Sequence, residues 1–169
     1  MKVSLGMFTV FEALQKDLAQ TIKRVAELGY DGIEMYGEIP CPAKELRSIL
    51  EENGVEISGW HVEWRHLQPN TIEETLAYHK VLGTPYLIIP ALGGPWNIGH
   101  TQAEDCAEVW HRHAQEINRV IERAEKEGFS VGYHTHAHEF ENCYENAETP
   151  YRILLSECPR LIMELDTGN

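Results

Sequence analysis

The chain has 169 residues, 43% of them hydrophobic, with a net charge of −13 and a pI near 5.1. That composition suits one globular domain with enough core to fold without disulfide staples, while the acidity repels phosphate backbones and no basic stripe offsets it, which argues against a nucleic-acid partner. The longest apolar runs, such as YLIIPAL at 86–92, fall far short of the roughly 20 residues of a membrane span, and the opening MKVSLGMF lacks the regions of a secretory leader, so the expected location is the cytoplasm, away from membranes.

In chain order, VSLGMF (3–8) reads as a first strand. Asp17 caps a helix whose Leu18, Ile22, Val25, Ala26 and Leu28 recur at helical spacing, and Gly29 ends it. GIEMYG (32–37) is the second strand; Pro42 then fits the first turn of a helix with Leu46, Ile49 and Leu50 on one stripe and Gly54 as its stop. EISGWHVE (56–63) is the third strand. Thr71 and Glu74 have capping-box form ahead of a helix running through Leu76 and Leu82 to Gly83. YLIIPALG (86–93) is the fourth strand. The longest helix, about 103–127, carries Val109, Ile117, Val120, Ile121 and Ala124 inward and closes at Gly128. SVGYHTH (130–136) is the fifth strand, a short helix over about 147–156 precedes Pro159, and LIMELDTG (161–168) is the sixth strand. Cys41, Cys106, Cys143 and Cys158 lie far apart without CxxC spacing and read as free thiols.

Strands alternating with helices predict parallel βαβ units. The helix-to-strand links (LGYDG, NGVE, EGFS) are tight, whereas the strand-to-helix links (GEIPCPA, EWRHLQPN, GGPWNIGHTQ, AHEFENCYEN) are long and rich in Trp, His, Glu, Asn and Gly. In parallel α/β folds the loops leaving the carboxyl ends of strands carry the site. No GxGxxG or GxxxxGK[ST] follows a strand, so the phosphate-cradling loops of nucleotide-binding sheets are missing. Polar residues instead recur at strand ends: Glu34, His61 and Glu63, His134 and His136, Glu164 and Asp166. A site assembled from many strand ends is what a closed barrel provides, and the expected fold class is α/β, a parallel TIM-barrel-like (β/α) wall.

The segment YHTHAHEF (133–140) concentrates three of the nine histidines and a glutamate. Alternation along a strand puts His134 and His136 on one side and Tyr133 and Thr135 on the other. Neutral imidazole suits zinc, manganese or iron, and Asp166, at the end of the next strand, is placed to complete the set. Glu139 lies beyond the strand, where it binds metal, orients a histidine or meets solvent; His138, further into the loop, reads as structural or substrate-facing. Glu34 either holds a hydroxyl or exchanges protons, or else pairs with a neighbouring base. His61 is a proton-transfer or hydroxyl-binding candidate because imidazole titrates near neutrality. Glu164 shares the parity of Asp166, and two carboxylates so close raise one pKa unless metal or base neutralises them. Trp60, Trp64 and Trp96 either stack on an apolar sugar face or, the commoner outcome, pack; His111 and His113 read as surface or packing residues.

GYDGIEMYG, GWHVE, YHTHAHEF and ELDTGN together resemble the sugar phosphate isomerase/epimerase family, xylose-isomerase-like (β/α)8 barrels that include inosose dehydratases and sugar epimerases. The resemblance runs along essentially the whole chain. It implies isomerisation, epimerisation or dehydration of a small sugar or sugar phosphate by proton transfer next to a carbonyl, through an enediolate, with a divalent metal (Mn²⁺, Zn²⁺, Co²⁺ or Mg²⁺) as Lewis acid. On this resemblance His134 stands where the family commonly offers a metal-binding glutamate, Asp166 matches the sixth-strand aspartate, His136 is a further ligand or supports one, and Glu139 is a weaker ligand candidate; Glu34, His61 and Glu164, read from their strand positions, are the catalytic candidates. The family closes its barrel with eight strands in about 250 residues. The expectation here is therefore a single partial (β/α)-barrel domain over 1–169, six βα units of eight, binding metal weakly and turning over poorly by itself. Its first and sixth strands are open edges that a homo-oligomer would cover. Two other readings stay open: a non-catalytic carbohydrate-binding or assembly protein with a degenerate barrel, and a metal hydrolase of the apurinic endonuclease type.

Overall fold

Apolar residues at strand spacing followed by stripes at helical spacing build six parallel strands in one sheet: β1 (Ser4–Gly6), β2 (Gly32–Tyr36), β3 (Glu56–His61), β4 (Tyr86–Ile89), β5 (Ser130–His134) and β6 (Ile162–Glu164). A computed structural model of the protein describes residues 2–93, 105–141, 144 and 147–168. Strand order follows chain order without reversal, β1-β2-β3-β4-β5-β6, and every neighbouring pair is parallel. A doubly wound sheet reverses at a switch point; an unreversed order is that of a barrel wall, here an incomplete one. Among the described residues β1 and β6 are each paired on one side only.

The helices are α1 (Phe11–Lys16), α2 (Leu18–Glu27), α3 (Ala43–Asn53), α4 (Ile72–Leu82), α5 (Ala107–Glu125), α6 (His138–Glu141) and α7 (Pro150–Glu157). Asp17 caps α2 by accepting from the Gln20 amide at 2.9 Å. Gly54 and Gly83 end α3 and α4 in the left-handed conformation, which glycine adopts without a Cβ clash. Buried residues recur at helical spacing: Ile22 and Val25 on α2, Leu46 and Leu50 on α3, and Ile117, Val120, Ile121 and Ala124 on α5. They pack with strand residues such as Ile33, Met35, Leu87, Ile89 and Val131 in one core.

The structure departs from the sequence expectations in several places. β1 ends at Gly6, and the chain turns through a 3-10 helix (Met7–Val10) into α1, a helix that buries only Leu14 and so carries almost no apolar stripe to read. Thr71 does not form a capping box: its hydroxyl donates to the Arg65 carbonyl at 2.7 Å. Thr149 is the residue that caps α7, accepting from the Arg152 amide, with Pro150 at its first turn. α6 lies within a stretch expected to be loop. Strands β5 and β6 stop at His134 and Glu164, so His136 and Asp166 lie just past strand ends. Cys41, Cys106 and Cys158 are free thiols; Cys143 and Trp96 lie outside the described residues. No helix among those residues is long and apolar enough to cross a membrane.

Two glycines shape the wall. In β5, a Cβ on Gly132 would lie 2.6 Å from Ile88 Cδ1 and 3.2 Å from the Ile162 carbonyl oxygen. The Ile88 side-chain end would have to rotate away and the Ile162 carbonyl to give slightly, and Gly132→Ala is expected to cost about 1–3 kcal/mol through overpacking, read as a lower urea midpoint with unchanged m-value. In β3, the register to β2 shifts after Ile33, so that Glu34 pairs with Gly59 and Ser58 is passed over. A Cβ at Gly59 would lie 3.1 Å from Glu34 Oε1. The bulge and the missing side chain together leave space for the Glu34 carboxylate.

Candidate active site

Residues from four strands, three of them at carboxyl ends, converge on one cluster. Glu34 comes from β2, His61 closes β3, His134 closes β5 and Glu164 closes β6. His61 Nε2 lies 2.9 Å from Glu164 Oε2 and 3.5 Å from Glu34 Oε2. His134 Nδ1 lies 2.8 Å from the same Glu164 oxygen, and its other ring nitrogen, Nε2, lies 3.4 Å from Asp166 Oδ2. The His61 and His134 rings are 4.7 Å apart between centroids. One Glu164 oxygen is thus held between two imidazoles, while His134 links Glu164 to Asp166.

The electrostatics separate the two glutamates. Burial pushes the Glu34 carboxyl up to about 8, and the hydrogen bond and negative charge of Glu164 add to that. Burial acts the same way on Glu164, but hydrogen bonds from His134, His61 and Glu34 outweigh it and hold Glu164 well below the usual carboxylate range. The same surroundings thus drive the two carboxyls in opposite directions, Glu34 up and Glu164 down. Aromatic side chains line the rim: Tyr36 contacts the His61 ring at 6.0 Å and Phe8 at 5.2 Å, both edge-on.

His136 and Glu139 belong to a second group. Glu139 is fully buried; its Oε1 accepts from the Tyr133 hydroxyl at 2.7 Å and lies 3.0 Å from His138 Nε2, while its Oε2 accepts from the His136 amide at 2.6 Å. The Tyr133 hydroxyl in turn accepts from the Leu92 amide at 3.1 Å, tying this turn to the end of β4. Burial lowers the His136 pKa. For His138 burial pulls the same way, but Glu139 beside it prevails and the pKa is raised.

The structure accordingly places Glu34, His61, His134, Glu164 and Asp166 in one cluster. It sets His136 and Glu139 beside it with His138, a residue that sequence reasoning assigned to structure or substrate. Potential ligand atoms group as two trios, each within 4.8 Å: His61, His134 and Glu164, and separately His136, His138 and Glu139. Alternation had put His134 and His136 on one face, but β5 ends at His134, so the rule no longer applies two residues on. Trp60 and Trp64 are core residues, Trp60 packed edge-on against Tyr78 and His79. His113 is buried against Trp110, and His111 pairs with Glu157 at 2.6 Å.

Residues 22–169 match the family model described as xylose isomerase-like TIM barrel. No curated protein matches the chain in sequence. Among solved structures, two sugar phosphate isomerase/epimerases from Parabacteroides distasonis superpose with TM-scores of 0.78 and 0.74 at 20% and 19% identity, over 98% of this chain in each case. A D-psicose 3-epimerase from Clostridium cellulolyticum superposes with a TM-score of 0.63 at 18% identity over 99% of this chain. The chain spans 68%, 65% and 64% of those three structures, about two thirds of their length. At such identities the likeness is one of fold. With a match over most of its length, an unreversed parallel wall and polar residues at the strand ends, this chain belongs to the xylose isomerase-like TIM barrel family.

Proposed function

We propose that this cluster serves metal-dependent isomerisation or epimerisation of a small sugar or sugar phosphate, by proton transfer next to a carbonyl. The observation that carries the reading is the meeting of Glu34 from β2 and Glu164 from the end of β6 beside two imidazoles, with one carboxyl's pKa pushed up and the other's held down. Two carboxyls with pKa values driven apart supply an acid and a base at one pH. The epimerases among the structural neighbours favour the same chemistry.

The donor set fits a divalent cation. His134, through Nε2, and Asp166 would hold it, while Glu164 on Nδ1 orients the ring: an imidazole and a hard oxygen, donors that suit manganese, cobalt or zinc. When bound, the ion supplies Lewis-acid polarisation of a carbonyl. Glu34 carries the proton that is exchanged, Glu164 keeps it there by its charge, and His61 passes it on or binds a hydroxyl. Gly59, having no Cβ, leaves space beside the Glu34 carboxylate. Among the described residues β1 and β6 are each paired on one side only, with Val3, Ile162 and Leu165 exposed beside them, and a second copy of the chain would cover such edges.

The test is solvent exchange. Ketoses and aldoses of five and six carbons, free and phosphorylated, are incubated with the protein and Mn²⁺ or Co²⁺ in D₂O, and NMR follows deuterium entering beside the carbonyl. Metal-dependent incorporation into at least one sugar is expected; none across the panel, in a sample whose solution mass is that of a dimer or larger, removes the proposal. A monomeric mass removes the covered-edge reading.

A further inference from the structure

We propose that Tyr133 and Glu139 are positioning residues, which hold the turn after β5 so that the His134 ring stays between Glu164 and Asp166. The importance of that ring rests on the proposed function; the clasp itself stands on hydrogen bonds within the chain.

His134 is the last residue of β5. On the β4 side the final paired residue is Tyr133, opposite Ile89, and on the β6 side it is His134, opposite Glu164. The backbone beyond His134 is therefore outside the ladder that fixes the strand. Its ring nevertheless has to keep two carboxylates in place at once, Glu164 Oε2 at 2.8 Å from Nδ1 and Asp166 Oδ2 at 3.4 Å from Nε2.

On the β6 side the Thr135 amide donates to the Glu164 carbonyl at 3.0 Å, and the Asp166 amide donates to the Thr135 hydroxyl at 3.4 Å. On the β4 side, side chains take over. Alternation turns Tyr133 to the opposite face of the sheet from His134, where it is fully buried near Trp110. Its hydroxyl accepts from the Leu92 amide at 3.1 Å and donates to Glu139 Oε1 at 2.7 Å. Glu139 returns to the chain through Oε2, which accepts from the His136 amide at 2.6 Å. His138 Nε2 braces the same joint, 3.0 Å from Glu139 Oε1 and 3.4 Å from the Leu92 carbonyl oxygen. Tyr133 and His136, which flank His134, are thus tied to each other and to the end of β4.

Tyr133, Glu139 and Leu92 have no exposure. Removing the phenol hydroxyl leaves two buried groups, the Leu92 amide and a Glu139 oxygen, without that partner, and the turn has to move to satisfy them. Such a movement passes to His134 through the backbone. Both oxygens of Glu139 are engaged in this joint, so the residue serves the turn and stays out of the ligand set around Asp166. Partners that orient a ligand from behind set its affinity for metal.

The experiment uses the full chain, first metal-free and then titrated with Mn²⁺, as wild type, Tyr133→Phe and Glu139→Gln, with Ile22→Val on α2 as a core variant away from this turn. Phenylalanine removes only the hydroxyl, and glutamine keeps the shape of Glu139 with one acceptor oxygen in place of two. In metal-free Tyr133→Phe and Glu139→Gln the His134 ring nitrogen resonances are expected to move, and Mn²⁺ affinity is expected to fall about 10–100-fold. Ile22→Val, destabilised elsewhere, should change neither. Wild-type resonances in both variants, wild-type affinity in both, or equal changes in Ile22→Val overturns the positioning role and leaves the proposed function standing. A wild type that binds no Mn²⁺ removes the proposed metal site instead, and the metal-free resonances then decide the clasp. Should neither variant fold, amide exchange in wild type decides: protection of the Leu92 and His136 amides is expected, and exchange at the rate of an unstructured chain overturns the clasp.

Discussion

Glu34→Gln is expected to lower turnover by about 10²–10⁴-fold while leaving the fold intact, because glutamine fills the same space beside Gly59 and lacks only the exchangeable acid. The same substitution has a second readout that needs no substrate. In the metal-free protein Glu34 keeps its proton from about 4.5, its ordinary value, up to about 8, whereas the unfolded chain has lost it. Across that window the native state binds more protons than the unfolded one, so stability falls as pH rises. Glu164 works with the opposite sign: its depressed pKa contributes stability that is present above the ordinary carboxylate value and lost on acidification. Melting the chelated wild type between pH 5 and pH 8.5 should show a decline on the order of 2 kcal/mol, scaled down from full linkage because the site is partly solvated. Glu34→Gln should flatten that decline and leave the acid limb, which His134 and His61 maintain. An unchanged slope would mean that Glu34 does not carry the proton.

Asp166→Asn is expected to weaken Mn²⁺ or Co²⁺ binding by more than about 100-fold, beyond the cost of losing an outer-shell partner. Asparagine preserves the turn in which the Gly168 amide donates to Oδ1 at 2.7 Å, so the change isolates the charge. Titration calorimetry of metal-free wild type and variant at one pH measures it, and an affinity equal to wild type would take Asp166 out of the ligand set. Binding should also weaken on acidification in both proteins, since a histidine ligand must be neutral to coordinate.

Much of the architecture was legible in residue order. Asp17, Gly54 and Gly83 punctuate their helices as their chemistry dictates, and the six strand candidates all contain an observed strand. Part of the cluster was legible too: His61, His134, Glu164 and Asp166 stand out as polar residues towards the ends of strand segments, and Glu34 as a charged residue inside an apolar one. What local pattern did not reveal follows from contacts remote in sequence. α1 has one buried residue and hence no stripe; Thr71 finds the Arg65 carbonyl instead of its own helix. Strand alternation extends only as far as the ladder that enforces it, and β5 loses that ladder at His134.

Residue order by itself determined the class of the fold and which edge of the sheet carries chemistry, because hydrophobic period and loop length are local properties of the chain. Only the tertiary structure decided which acids and bases meet. Glu34 and Glu164 are 130 residues apart in sequence yet each shifts the other's pKa, because a shifted register opposite Gly59 and the pairing of β5 with β6 bring them to one rim. The same packing divides the histidines of YHTHAHEF between two clusters, because the fully buried Glu139 holds the turn after β5 through Tyr133, the His136 amide and His138.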